Sequence, residues 1–114
     1  MKIDIRHSGD VCVLRFKGPL RTGKDGAYLS AKLDEIKRLN CRKVLADFRN
    51  VPSIGSTGVS FLVGIYLSVT QISGGRLVLL GARPRVREVL DVTRLSSLIT
   101  MSADADAGMA ALVQ

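Results

Sequence analysis

The chain carries no Asp, Glu, Lys or Arg between Arg49 and Arg76, and this uncharged stretch limits the folds open to it. So long an uncharged segment must be buried in the protein, covered by a partner or placed in a membrane. Residues 54–72 are long enough to span a bilayer, but glycine, hydroxyl and amide residues interrupt them throughout. We therefore predict no membrane span, and instead a buried or partner-covered helix from near Ser56 to about Ser73.

Strand and helix patterns alternate along the rest of the chain. Apolar residues alternate over 2–7 and 11–17 around a Ser-Gly-Asp turn, which predicts an antiparallel hairpin. A helical apolar stripe then runs to about Asn40. Apolar runs at 44–48 and 76–81 predict buried strands, and Pro84 suits the first turn of a third helix. A strand at 97–101 and a helix at 103–113 complete the order β-β-α-β-α-β-α-β-α.

This order predicts an α/β fold. We expect a mostly parallel sheet of about five strands, an antiparallel hairpin strand at its N-terminal edge, and about four helices. A length of 114 residues suits one domain over 1–114. Functional crevices in such sheets lie beyond the carboxyl ends of the strands. Residues 20–24, 54–58 and 82–85 are therefore expected at one end of the molecule.

The formal net charge of +7 permits an acidic protein, an anionic lipid or a nucleic acid as partner. Aromatic residues make up only 4% of the chain, which counts against a nucleic-acid site built on base stacking. Arg21, Lys24, Arg83 and Arg85 fall at the predicted crevice end. They form either a possible anion-binding cluster or ordinary solvated surface charge.

Residues for catalysis or metal binding are sparse. Cys12 and Cys41 predict neither a disulfide framework nor a metal site, and His7 is the only histidine. The sequence holds no nucleophile–base pattern and no glycine-rich phosphate loop. We therefore predict no enzymatic activity, no metal and no cofactor. The N-terminus is charged from Lys2 and lacks a signal peptide's apolar core, so we expect a cytoplasmic protein.

The uncharged stretch contains Ile54-Gly55-Ser56-Thr57-Gly58 at a predicted strand-to-helix transition. Helix N-termini expose backbone N–H groups and attract anions, phosphate included. Ser56 is therefore either a helix cap or a hydroxyl available for modification. Phe61 and Ile65 form a second apolar strip on this helix. The strip either borders the core or docks a partner or a second copy of the chain.

Residues 44–58, Val-Leu-Ala-Asp-Phe-Arg-Asn-Val-Pro-Ser-Ile-Gly-Ser-Thr-Gly, resemble the central signature of STAS domains. These domains include the anti-sigma-factor antagonists of bacterial regulatory cascades. Residues 74–79 resemble the next strand of the family, and residues 84–95 resemble the helix and loop that follow. The resemblance covers essentially the whole chain.

The resemblance implies that Ser56 is a phosphoacceptor, modified by a partner kinase that is itself an anti-sigma factor. Gly55, Thr57 and Gly58 would shape the contact, and phosphate would end the binding. Two departures stand out: Gly55 replaces the usual Asp before the acceptor, and Arg21 follows Leu20 where many antagonists carry an acidic residue.

Two other functions remain open from the sequence. One is a non-phosphorylated STAS scaffold subunit of a signalling or lipid-transport complex, which Gly55 and the extra arginines favour. The other is a basic nucleic-acid binder, which the scattered charge and few aromatics disfavour. We therefore expect protein–protein contacts, with a homodimer possible and no direct nucleic-acid binding.

Overall fold

A computed structural model describes residues 2–18 and 26–112, which form a sheet flanked by helices. The elements follow the predicted order: β1 (Lys2–Ser8), β2 (Val11–Lys17), α1 (Gly26–Leu39), β3 (Lys43–Asn50), α2 (Ser56–Thr70), β4 (Arg76–Leu80), α3 (Pro84–Val92), β5 (Thr100–Ser102) and α4 (Ala105–Leu112). A 3₁₀ turn over Leu95–Ser97 lies between α3 and β5. Within the described residues, the alternation of strand and helix patterns was sufficient to predict this order.

The five strands form one sheet in the order β1-β2-β3-β4-β5. β1 pairs with β2 antiparallel, and the other three pairings are parallel. Parallel neighbours require crossover connections, and α1, α2 and α3 provide them. The predicted α/β fold with an antiparallel edge strand is confirmed.

Side chains that alternate along the strands build two cores of unequal size. In β3, Val44, Ala46 and Phe48 enter the larger core, together with apolar residues of α1, α2 and α3. Leu45 points to the opposite face and packs with Leu112 of α4. Three helices therefore cover one face of the sheet, and α4 covers part of the other across β3, β4 and β5.

Two predicted boundaries differ from the structure by about three residues, the largest differences among the described elements. The last strand starts at Thr100 rather than at residue 97, because the chain after α3 first forms a 3₁₀ turn. Arg94 initiates this turn with a φ of 64°, a left-handed conformation that sequence periodicity does not reveal. α2 ends at Thr70, a few residues earlier than predicted, and the turn that follows includes Gly74 at a φ of 76°.

The two cysteines were predicted not to form a disulfide, and the structure corrects this. Cys12 in β2 and Cys41 just before β3 are disulfide-bonded, with a Cα–Cα distance of 6.0 Å. The parallel pairing of β2 and β3 sets Cys12 beside Val44 and so brings the two cysteines together. Both side chains are buried. The bond therefore connects the α1–β3 junction to the start of β2.

The described helices do not reach the length and apolarity that a membrane span requires.

Candidate functional site

Ser56 is the first residue of α2, at the carboxyl end of β3, and its side chain is exposed. Gly55 occupies the N-cap position with an extended backbone, and its carbonyl accepts the Val59 N–H at 3.0 Å. The interpretation of Ser56 as the helix cap is therefore wrong, since the residue in that position has no side chain. The Ser56 hydroxyl lies one residue inside the helix and faces solvent.

The electrostatics around Ser56 derive from the helix backbone. α2 has no acidic residue in its first turn and no basic residue in its last turn. The free N–H groups of the first turn carry a partial positive charge that no side chain of that turn neutralises. An anionic group on the Ser56 oxygen would therefore meet a favourable field from its own helix.

A shallow cavity of about 210 Å³ lies between the first two turns of α1 and the first two turns of α2, and Thr57, the residue after Ser56, lines it. Leu29, Leu33 and Phe61 provide apolar atoms, and Ser30, Thr57 and Ser60 provide hydroxyls. Thr57 is half-buried and lines the cleft, whereas Gly58 is buried in the first turn of α2. An apolar side chain flanked by hydrogen-bonding groups would suit this cavity. Sequence reasoning missed it, because residues of two separate helices line it.

Phe61 and Ile65 do not form an exposed docking strip. They are 4% and 0% exposed, and the Phe61 ring lies 6.0 Å from the Phe16 ring. This strip of α2 packs against the sheet, and its side chains belong to the larger core. The exposed side of the helix carries Ser56, Ser60, Leu67 and Thr70 instead.

The carboxyl end of β3 is stabilised by an interaction between Asp47 and Arg49. Asp47 accepts hydrogen bonds from the backbone N–H of Arg49 at 3.1 Å and from its Nε and Nη2 at 3.0 and 2.9 Å. Burial raises the pKa of the Asp47 carboxyl, but the hydrogen bonds from Arg49 outweigh it and hold the pKa below its ordinary value of 3.8. Asp47 is therefore a charged structural anchor just upstream of Ser56.

Gly81 makes room for the Arg49 side chain. It has a φ of 68°, and a Cβ at this position would overlap Cγ of Arg49. The sequence contains a signal for the pairing of Asp47 with Arg49, because residues two apart on a strand share a face. It contains no comparable signal for Gly81, which follows β4 on the neighbouring strand.

The proposed cationic cluster is only partly described. Arg83 precedes α3 as its N-cap and Arg85 lies in its first turn, and both are exposed. β3 and β4 are neighbours, so the starts of α2 and α3 follow adjacent strand ends. The side chains of Ser56, Arg83 and Arg85 make no hydrogen bonds with one another. Arg21 and Lys24 lie outside the described residues.

Across residues 2–18 and 26–112, no group of three or more His, Cys, Asp or Glu side chains is arranged to hold a metal ion. The chemistry that this end of the molecule does offer is an exposed hydroxyl on a helix start beside a small cleft.

The fold and this site define a small α/β domain with a solvent-exposed helix start at the carboxyl end of its central strand. The family model of the STAS domain matches residues 2–107. The chain belongs to the STAS domain family.

Three known proteins illustrate the similarity. The anti-sigma F factor antagonist of Paenibacillus polymyxa is 22% identical over 99 residues, which cover 87% of this chain and 84% of that protein. The structure of an anti-sigma-factor antagonist (STAS) domain protein from Planctomyces limnophilus superposes with a TM-score of 0.84 at 25% identity, covering 98% of each chain. The phosphorylated form of the Bacillus cell fate determinant SpoIIAA superposes with a TM-score of 0.72 at 19% identity, covering 95% of this chain and 96% of that one.

Proposed function

We propose that this protein is an anti-sigma-factor antagonist whose binding is controlled by reversible phosphorylation of Ser56. The observation that carries the proposal is the exposed Ser56 hydroxyl on the first residue of α2. The name of the Paenibacillus relative supports the antagonist role. The phosphorylated SpoIIAA structure supports the switch, because it shares this fold.

The physical basis of the switch is a change in charge at a helix start. A phosphate adds about −1.5 to −2 charges at neutral pH. The helix N-terminus tolerates that charge, so the fold of the modified protein would persist. A partner packed closely on the same surface would meet a bulky, hydrated anion. Binding would therefore end while the domain remains folded.

The partner would be an anti-sigma factor that also acts as the serine kinase. Such a partner must bring its active site to Ser56, and the exposed side of α2 is accessible for this. The cleft between α1 and α2 would take an apolar side chain of the partner, with the Ser60 and Thr57 hydroxyls at its rim. The antagonist itself would act by binding and perform no chemistry.

A kinase assay with mapping of the modified residue tests the proposal. The protein would be incubated with its cognate kinase and ATP, and phosphopeptides identified by mass spectrometry. We expect phosphate on Ser56, and none on the Ser56→Ala variant. A partner that binds the protein and leaves Ser56 unmodified would contradict the switch.

Gly55 supports a second candidate, a STAS scaffold subunit that binds its partner without phosphorylation. An acidic residue before the acceptor could orient the hydroxyl or a kinase-bound metal, and glycine does neither. In that case Ser56→Asp would leave partner binding unchanged.

A further inference from the structure

The sheet face opposite α1, α2 and α3 is partly uncovered and strongly basic. In β1, Ile3 and Ile5 enter the larger core, so Lys2, Asp4 and Arg6 point to the opposite face. The same alternation places Arg15 and Lys17 of β2 there, since Cys12, Leu14 and Phe16 are buried in the larger core. α4 packs across β3, β4 and β5, and Val11 and Val13 pack beside Leu112. Beyond those two valines, the side chains on this face of β1 and β2 are exposed.

We call the part of this face on β1, β2 and the carboxyl end of β3 the basic face. Its charged side chains are five cations and two carboxylates: Lys2, Arg6, Arg15, Lys17, Arg49, Asp4 and Asp47. Both carboxylates are already engaged. Asp4 lies 3.9 Å from Arg6 and directly opposite Arg15, and Asp47 binds Arg49 at 2.9 Å. The basic face therefore keeps a net positive charge after its internal pairs are satisfied.

Lys2 and Lys17 are directly opposite each other in the β1–β2 ladder. Like charges at opposed positions destabilise a sheet. Within the described residues, neither lysine forms a salt bridge, and Lys17 lies next to Asn50 on its other side. An anion that binds across both lysines would relieve the repulsion.

We propose that the basic face binds the anionic headgroups of a lipid bilayer. The face follows the broad surface of two strands and carries long cationic side chains, and among residues 2–18 it shows no exposed large apolar side chain. The exposed large apolar residues of the described chain, Leu67, Val92, Leu98 and Met109, lie on other elements. Protein interfaces depend on buried aromatic or apolar anchors, which this face lacks. An anionic bilayer needs no such anchor, because a cluster of Lys and Arg side chains binds its headgroups through charge alone.

This proposal is independent of the Ser56 switch. α2 packs on the other side of the sheet, so a protein partner on α2 and a membrane on the basic face would not compete for the same residues. The protein would then bring its partner to an anionic membrane surface.

Vesicle sedimentation tests the proposal with the full chain. We expect binding to phosphatidylcholine vesicles that contain phosphatidylserine, no binding to phosphatidylcholine alone, and release when the ionic strength rises from about 0.1 M to about 0.5 M. The double variant Lys2→Gln, Lys17→Gln should weaken binding on the order of 25-fold, from about fivefold for each lysine. Its fold should persist, since the substitutions remove a repulsive pair, and circular dichroism checks this.

A matched control is Lys37→Gln, Arg38→Gln, in the last turn of α1. Like the Lys2→Gln, Lys17→Gln variant, it lowers the formal net charge of +7 by two. We expect it to weaken vesicle binding less than about threefold, because its side chains lie away from the basic face. Equal losses in the two double variants would overturn the proposal, since net charge alone would explain them. Absence of vesicle binding, or binding to duplex DNA in its place, would overturn it as well.

Discussion

Asp47 binds Arg49 of its own strand, through the backbone N–H as well as the guanidinium, at the carboxyl end of β3. The two residues lie just upstream of the loop that leads to Ser56. The carboxylate is buried and the guanidinium is partly exposed, so the pair fixes the path of the strand end where the chain leaves the sheet. A rigid end of β3 helps to hold the start of α2 in place, so that the Ser56 hydroxyl is presented in a constant position.

Acid should remove the stabilisation that Asp47 provides. Because the folded pKa of Asp47 lies below its ordinary value of 3.8, the contribution is complete above that value and is lost as the pH falls through the folded pKa. Asp47→Asn should lower the free energy of unfolding by about 1–2 kcal/mol at neutral pH. Urea unfolding of both proteins from neutral pH down to about pH 2 measures this. The difference in the free energy of unfolding between the native protein and Asp47→Asn should shrink below pH 3.8. A difference that stays constant with pH would contradict the role assigned to Asp47.

Substitution of Gly81 should disturb the same strand end. Gly81→Ala places a methyl group against Arg49 and strains a left-handed backbone, with an expected loss of about 2–4 kcal/mol. Gly9→Ala is the control, because Gly9 has a φ of 61° with open space around it. Gly9→Ala should lower the free energy of unfolding by only about 1 kcal/mol, from the strain of a left-handed backbone. Similar losses in thermal unfolding of the two variants would show that Arg49 does not crowd Gly81.

The two sides of α2 should respond differently to truncation. Phe61→Ala removes a buried ring from the larger core and should destabilise the protein by about 3–5 kcal/mol. Leu67 is 53% exposed, so Leu67→Ala should change the free energy of unfolding by less than about 1 kcal/mol. Chemical denaturation of the two variants measures both values. A Phe61→Ala variant as stable as the native protein would place the ring at the surface, which is the docking alternative that the sequence left open.

Reduction of the disulfide should weaken the fold. Cys12 and Cys41 are separated by 29 positions, and closing a loop of that length stabilises a protein by about 2–4 kcal/mol. Unfolding in the presence and absence of dithiothreitol measures the effect, with the double variant Cys12→Ala, Cys41→Ala as a control that dithiothreitol should not change. Identical stability of the native chain in both conditions would indicate that the two thiols are not bonded.

Most of the fold could be predicted because local patterns agree with it. Alternating residues in β1 and β2, the Ser-Gly-Asp turn between them and Pro84 at the start of α3 each specify an element within a few residues. The start of α2 at Ser56 also followed from local signals, since glycines flank the hydroxyl pair. These signals act over a few positions and need no knowledge of the tertiary structure.

The remaining features depend on contacts between distant residues. α2 is apolar on several sides, so periodicity could not decide whether Phe61 and Ile65 face the sheet or a partner. The bond between Cys12 and Cys41 required the register of two parallel strands. The room for Arg49 over Gly81 required the neighbouring strand, and the late start of β5 required the left-handed Arg94. Each depends on geometry that one-dimensional spacing does not contain.

Partner affinity as a function of charge at Ser56 tests the central claim most directly. The partner captured by the unmodified protein would be titrated with the native chain, with Ser56→Asp and with Ser73→Asp, an exposed serine beyond the far end of α2. We predict that Ser56→Asp weakens binding at least about tenfold, which corresponds to about 1.4 kcal/mol, while Ser73→Asp leaves it unchanged. Equal affinity of all three proteins for the partner would contradict a switch at Ser56.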